Sequence, residues 1–330
     1  VSPDNSPSVA LVRLPNPLGD VVMTTPLLRA LKTAWPKTRI VAAGKAPYRE
    51  LLKGLDSVDR FIALDGELPN HLALREAGAD LILILPNSWS SAIAASRARI
   101  PLRIGRRKQG RRVLLSRALP TIPKAAPMTE LYADFLPELG LPRKIGAAEL
   151  VAPDLPRTVL PPSKRYLTVA PGAAFGPSKK YPQSMLVQAL TQLSEVHEFH
   201  PILLGSPNER SELEELAERL PVDSTLTAPG DHGLDEAKAL IQKSSVVLAM
   251  DNGARHMAAA LGTPQVVLYG PTHPQWSAHA LEKTTILRRD ELDCLNCHKK
   301  ICPLHGHPCM TRITPEAVVH AILHRGLNKT

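Results

Sequence analysis

The sequence predicts an α/β protein of two doubly wound, parallel-sheet domains, and three observations carry that expectation. The chain has 330 residues, about twice the usual single-domain size. Short β-branched and apolar runs alternate with helical patterns in two separate series. Between the series, Val151 to Lys164 (VAPDLPRTVLPPSK) holds four prolines and no sustained period, which marks a linker. The domains are accordingly placed at residues 1–155 and 156–330.

In the first series Val9 to Leu14 reads as a strand, Pro15-Asn16-Pro17-Leu18-Gly19-Asp20 as a break and Val21 to Trp35 as a helix. Arg39 to Ala43, Arg60 to Ala63 and Asp80 to Leu85 repeat the strand signal, with a helical pattern at Tyr48 to Leu55. The second series has strands at Tyr166 to Ala170, Pro201 to Leu204, Val246 to Met250 and Gln265 to Tyr269. Its helices fall near Ser184 to Glu195, Glu209 to Leu220, Leu234 to Gln242 and Ala254 to Leu261, with a last one at Thr314 to Arg325. Strands that alternate with helices imply parallel sheets covered on both faces. Two such domains in tandem place a cleft between the carboxyl ends of their sheets, where ligands of these folds bind.

With 44% hydrophobic and 22% charged residues the chain can bury substantial cores, which excludes disordered, collagenous and coiled-coil classes. VSPDNSPSVALVRL lacks a basic segment followed by a long apolar one, and the most apolar run, Leu81 to Leu85, is too short to span a bilayer. The expectation is therefore a cytoplasmic protein. Forty Lys and Arg oppose 31 Asp and Glu, a formal charge of +9 that suits an anionic partner. From Leu81 through Thr129 there is no acid, while Arg97, Arg99, Arg103, Arg106, Arg107, Lys108, Arg111, Arg112, Arg117 and Lys124 fall there. A single-strand nucleic-acid binder interleaves aromatics with its cations, and Trp89 is the one aromatic in this window, so nucleic acid is not expected. A phosphorylated lipid, an anionic sugar, a membrane surface or a merely solvated basic face all fit.

Neither G-x-G-x-x-G after a strand nor G-x-x-x-x-G-K-[ST] nor D-x-D occurs, which removes the usual dinucleotide, P-loop and metal-chelating nucleotide-sugar sites. Three loops that follow strands carry the chemistry instead. The first delivers Asp20 beside Gly19 at a helix start, as a general base or as a helix cap. The second, Pro171 to Pro182 (PGAAFGPSKKYP), has small residues that admit a ligand close to the backbone and Lys179 and Lys180 before a helix. It suits a diphosphate, or it is a plain connection with solvated lysines. The third, Met250 to His256 (MDNGARH), ends a buried strand in a polar turn; Asp251 is a cap or a ligand-binding acid, and His256 a core histidine or a ligand.

Together PNPLGDVVMTTPLLRALK, PGAAFGPSKKYP and MDNGARHMAAALGTPQVVLYGPTHP resemble the three signature segments of the ADP-heptose:lipopolysaccharide heptosyltransferases, glycosyltransferase family 9. The likeness runs from about Val9 to Ala321, and the second segment looks closest to the heptosyltransferase II branch. The resemblance implies a GT-B architecture of two Rossmann-like domains facing a central cleft, acceptor on the N-terminal one and nucleotide sugar on the C-terminal one, with no cofactor required for catalysis. By resemblance Asp20 is the catalytic base and Lys179 contacts the donor phosphates, while Gly172, Ala173, Gly176 and Ser178 form the phosphate loop. Asp251, Asn252, Gly253 and His256 match the donor-binding turn, and Glu209 an acid on the adenosine ribose. The family turn N-D-S-G-x-x-H here reads MDNGARH, with Arg255 an added charge.

The implied activity is inverting transfer of heptose from ADP-heptose to the lipopolysaccharide inner core, at the cytoplasmic membrane surface as a peripheral protein. Arg103, Arg106 and Arg107 are then the acceptor-binding candidates. The other readings are a GT-B transferase for another nucleotide sugar, or a non-catalytic module for nucleotide or anionic lipid. Cys294, Cys297, Cys302 and Cys309 fall within sixteen positions, with His298, His305 and His307 among them. The C-x₂-C spacing suits a structural zinc, an iron–sulfur site is a second reading, and metal-free thiols or disulfides a third. Reducing cytosol favours metal over disulfides, in a clasp ahead of the last helix.

Overall fold

The computed structural model describes residues 6–108, 110–121, 126–154, 160–162, 165–227 and 233–327. Lys124, the expected boundary at 155/156 and the linker residues 155–159 and 163–164 lie outside the described residues. Two compact units divide the chain: Val1–Val151 with Gln275–His279, and Ala152–Pro274 with Ala280–Thr330.

The first unit holds strands β1 (Val9–Arg13), β2 (Arg39–Gly44), β3 (Arg60–Ala63), β4 (Leu81–Ile84), β5 (Leu102–Arg106) and β6 (Arg117–Leu119). Every pairing is parallel, in the order β3-β2-β1-β4-β5-β6. Its helices are α1 (Leu18–Val22), α2 (Thr25–Ala34), α3 (Tyr48–Leu52), α4 (Asn70–Arg75), α5 (Trp89–Arg97) and α6 (Met128–Ala133). Leu11, Val41, Ile82 and Ile84 pack with Leu74, Ala95 and Ile100 in one buried cluster. β1 and β4 are buried almost throughout, as strands covered on both faces must be, so their sequences run apolar without alternation.

The second unit repeats the topology with β7 (Tyr166–Ala170), β8 (His200–Leu204), β9 (Thr225–Thr227), β10 (Val246–Met250), β11 (Gln265–Leu268) and β12 (Thr284–Leu287), ordered β12-β11-β10-β7-β8-β9. Its helices are α7 (Gln183–Val196), α8 (Arg210–Glu218), α9 (Gly233–Lys243), α10 (Gly253–Leu261), α11 (Pro308–Thr311) and α12 (Pro315–Ile322). α7 buries Leu186, Ala189, Leu190 and Leu193, spaced to form one stripe against the sheet. Each unit is a doubly wound sheet whose strand order reverses once, between β1 and β4 and between β7 and β10. No helix among the described residues is long and apolar enough to cross a membrane.

The helix expected over Val21 to Trp35 is two helices. Pro26 has no N–H to reach the Val22 carbonyl, and the Thr25 hydroxyl donates to that carbonyl instead at 2.9 Å, while Thr24 donates to Val21 at 2.6 Å. Four strands carried no sequence signal. β5 (LRIGR) and β6 (RAL) lie inside the basic window, and β9 and β12 are edge strands with incomplete burial. The helix expected from Glu209 begins at Arg210, after a 3₁₀ turn over Pro207–Glu209.

Candidate functional site

In the second unit β7 and β10 are neighbours, Ala170 beside Ala249, so the loops leaving them start side by side at the point where strand order reverses. Asn252 joins the two. Its side-chain oxygen caps α10 by accepting the Arg255 N–H at 3.4 Å, and its amide donates to the carbonyls of Ala170 at 2.9 Å and Gly172 at 2.8 Å. The cap is therefore Asn252, which leaves the Asp251 carboxylate for another task.

That carboxylate accepts from the Lys179 ammonium at 2.5 Å and from the Thr272 hydroxyl at 2.7 Å, and Lys179 also donates to the Asp251 carbonyl at 3.1 Å. The ammonium lies 5.0 Å from the centre of the Phe175 ring. Both charged side chains are about nine-tenths buried, 11% and 10% exposed. Burial by itself raises the Asp251 pKa, yet Lys179, Thr272 and Arg255 together hold it below the ordinary carboxylate value. Lys180 turns away to pair with Glu212 in partial exposure.

Two glycines let this loop close. A Cβ on Gly172 would overlap the Glu209 carboxylate, and Gly176, at φ 150°, has the Lys300 carbonyl 2.7 Å from where a Cβ would stand. Glu209 accepts from the N–H and hydroxyl of Ser206, both at 2.8 Å, so a capping box orients it against Gly172. Ala173 and Ser178 are buried within the loop, Gly253 opens α10, and His256 is buried one turn inside it. The structure thus gathers Lys179, Asp251, Asn252, Glu209 and the glycine-bearing loop at one edge of one sheet.

In the first unit Asp20 sits on α1, just past the end of β1, half-buried and beyond the helix cap position, which Pro17 occupies. Two phenols lie within its field. Burial and then Asp20 and Asp65 push Tyr48 up to about 12 against the opposing Arg13. Burial and then Asp20 raise Tyr132, which Arg106 partly offsets. The Tyr48 hydroxyl donates to the Asn16 carbonyl and so fixes the loop ahead of Asp20.

The basic window divides. Arg106 is buried and donates to the carbonyls of Pro120 at 3.1 Å and Leu131 at 2.6 Å and to Asp134 at 2.6 Å. Arg103 donates to the carbonyls of Leu114, Ile100 and Pro101. Arg111, fully buried, ties the turn at 111–114 to Arg106, Pro86 and Ser88. Of the three acceptor candidates only Arg107 is exposed, accompanied by Lys108 and Arg112. Arg106 is turned into the protein, and Arg103, half-exposed, has its guanidinium on backbone carbonyls, a correction that sequence could not supply because a charge run does not say which carbonyls lie within reach.

All four cysteines are free thiols, exposed at Cys297, partly covered at Cys294 and Cys302 and buried at Cys309. Burial, and then Cys302, Cys294 and Cys297, push the Cys309 thiol up to about 11. Among the described residues no group of three or more His, Cys, Asp or Glu side chains is arranged to hold an ion. Thr272, Phe175, Tyr48 and Tyr132 were not singled out by sequence. Thr272 alone had a usable signal, a hydroxyl just past the strand next to β10.

Known proteins resemble this chain along most of its length. Residues 71–307 match the glycosyltransferase family 9 (heptosyltransferase) profile. The chain is 29% identical over 312 residues to lipopolysaccharide heptosyltransferase 2 of Escherichia coli (strain K12), covering 84% of this chain and 87% of that protein. It is 30% identical over 313 residues to lipopolysaccharide heptosyltransferase 2 of Salmonella typhimurium, with the same two coverages, 84% and 87%. The solved structure of E. coli ADP-heptose lps heptosyltransferase II superposes with a TM-score of 0.80 at 27% identity, over 96% of this chain and 97% of that one.

Because the folded pKa of Asp251 is depressed, its stabilisation is full above the unfolded value of about 3.9 and is lost as pH falls through the folded one. Urea midpoints of wild type and Asp251→Asn should therefore differ at pH 7 and converge as pH drops below about 4. A gap that stays constant down to pH 2 would contradict the ionised pair.

Proposed function

The chain belongs to glycosyltransferase family 9, and on that premise we propose that it transfers heptose from ADP-heptose to a hydroxyl of the phosphorylated lipopolysaccharide inner core, with inversion. The likeness to heptosyltransferase 2 proteins along most of the chain carries the reading. The architecture is GT-B, as in the E. coli enzyme of that name.

In this reading Asp20 takes the proton of the acceptor hydroxyl as its oxygen attacks the anomeric carbon, and ADP departs from the opposite side. An ammonium has three donor hydrogens, and two of those on Lys179 go to Asp251, which holds the group in place for the diphosphate. A cation fixed before the reaction stabilises the leaving group without reorganising as charge develops. Gly172 and Gly176 let the loop assigned to the phosphates close against Glu209 and Lys300, Glu209 is assigned to the ribose, and Asn252, Gly253 and His256 shape the turn. The first unit is assigned to the acceptor and the second to the nucleotide sugar.

The acceptor surface falls to Arg107, Lys108 and Arg112. Trp89, 40% exposed, and Val113, 82% exposed, lie on the same stretch of chain, and the Trp89 ring stands 3.8 Å from where a Cβ on Gly110 would be. Cations beside exposed apolar groups suit an anionic lipid surface, which supports peripheral binding at the cytoplasmic membrane. The thiols of Cys294, Cys297, Cys302 and Cys309 are assigned to a structural zinc on their clustering within sixteen positions and the C-x₂-C spacing of the first two, thiolates being the donors zinc takes.

A positioned base contributes roughly 10²- to 10⁴-fold, so Asp20→Asn should lose about that much turnover while calorimetry still finds ADP bound. Turnover within threefold of wild type would remove Asp20 from the reaction. Replacing Arg107 and Arg112 by Ser should raise acceptor KM and reduce co-sedimentation with anionic vesicles, leaving donor KM unchanged; unchanged acceptor KM and sedimentation would clear the patch of both roles. Elemental analysis of protein purified without chelator should find zinc that Cys302→Ser loses. Zinc-free protein of undiminished thermal stability would refute that assignment.

A further inference from the structure

The segment from Cys294 to Cys309 makes contacts that its thiols do not explain. Ser178 is buried, and each of its polar groups meets that segment. Its N–H donates to the Lys300 carbonyl at 3.1 Å, its hydroxyl to the Lys299 carbonyl at 2.6 Å, and its own carbonyl pairs with His307 Nε2 at 2.7 Å. A carbonyl can only accept, so the His307 nitrogen there carries a proton. Gly176 allows the approach, since any side chain at that position would collide with Lys300.

The same segment reaches a second loop. The His298 N–H donates to the Pro271 carbonyl at 3.0 Å, one residue before Thr272. Lys179 follows Ser178 directly, and Lys179 and Thr272 are the two donors on one oxygen of Asp251. One stretch of chain thus holds the neighbours of both groups that orient the buried carboxylate. His307 sits at φ 50°, a conformation uncommon outside glycine, and from there it reaches Ser178.

We propose that His307 is a positioning residue for donor binding: with the carbonyls of Lys299 and Lys300 it fixes Ser178, and through it the Lys179 ammonium on Asp251, where a diphosphate is received. This rests on the donor assignment above. The Cys-rich segment is then a brace on the diphosphate site as well as a structural module.

The test compares His307→Ala and His307→Gln with wild type in ADP titration calorimetry, steady-state kinetics and amide hydrogen exchange. Loss of one buried hydrogen bond corresponds to about tenfold, so His307→Ala should raise ADP Kd and donor KM by about that factor and speed exchange at Ser178. Acceptor KM and kcat at saturating donor should stay within twofold, and the Gln side chain, which keeps a donor, should restore all values. Wild-type ADP affinity and Ser178 exchange in folded His307→Ala would overturn the brace, as would losses that Gln does not restore. If wild type binds no ADP, the donor assignment fails and the donor-binding role with it, while Ser178 exchange still reports the brace separately. Should His307→Ala not fold, Ser178→Ala must raise the same two constants, and unchanged constants there overturn the proposal.

Discussion

A parallel strand cannot be joined to its neighbour by a tight turn. The chain has to cross one face of the sheet and return to the same end, and the crossover is usually a helix. Both sheets here are wholly parallel among the described residues, so loops that follow strands all emerge at one edge. Where strand order reverses, adjacent loops diverge and leave a gap that neither fills. Asp20 stands after β1, and Lys179 and Asp251 after β7 and β10, because that edge is where this topology leaves room for chemistry.

Charge is buried in two different ways. Arg106 and Arg111 donate to backbone carbonyls, Arg106 also to Asp134, and these bonds turn part of a charge run into internal struts. Lys179 and Asp251 are buried against each other, an arrangement that hydrophobic residues of similar volume often match or exceed in stability. A pair of that kind is better understood as a prepared electrostatic field than as a fold-stabilising contact.

Sequence exposed the central strands and missed three of the four edge strands together with β5, whose residues lie in the basic window. β1, β4, β7 and β10 are covered on both faces and must be apolar throughout, so periodicity finds them. β6, β9 and β12 lie at sheet edges with partial burial, and their composition is free to resemble a loop. The break between α1 and α2 was available in principle, since Pro26 could not donate to Val22. In the site, the loops that hold Lys179 and Asp251 were legible as polar or glycine-bearing turns after strands. Thr272, and the inward turn of Arg106, depend on contacts between distant segments that local pattern does not encode.

Asn252 works as a directional rivet. Its oxygen faces the helix and its nitrogen faces the strand, so the amide has one correct orientation, and each half serves a different loop. Serine, the residue of the family pattern at this place, has a single hydroxyl proton: it could cap α10 and reach one carbonyl, never two. An aspartate would set an acceptor against two acceptors. This chain therefore ties the loops after β7 and β10 with a residue that neither serine nor aspartate replaces bond for bond, and a change at position 252 would remove a tie between the β7 loop and α10 while leaving every charged group of the site in the sequence.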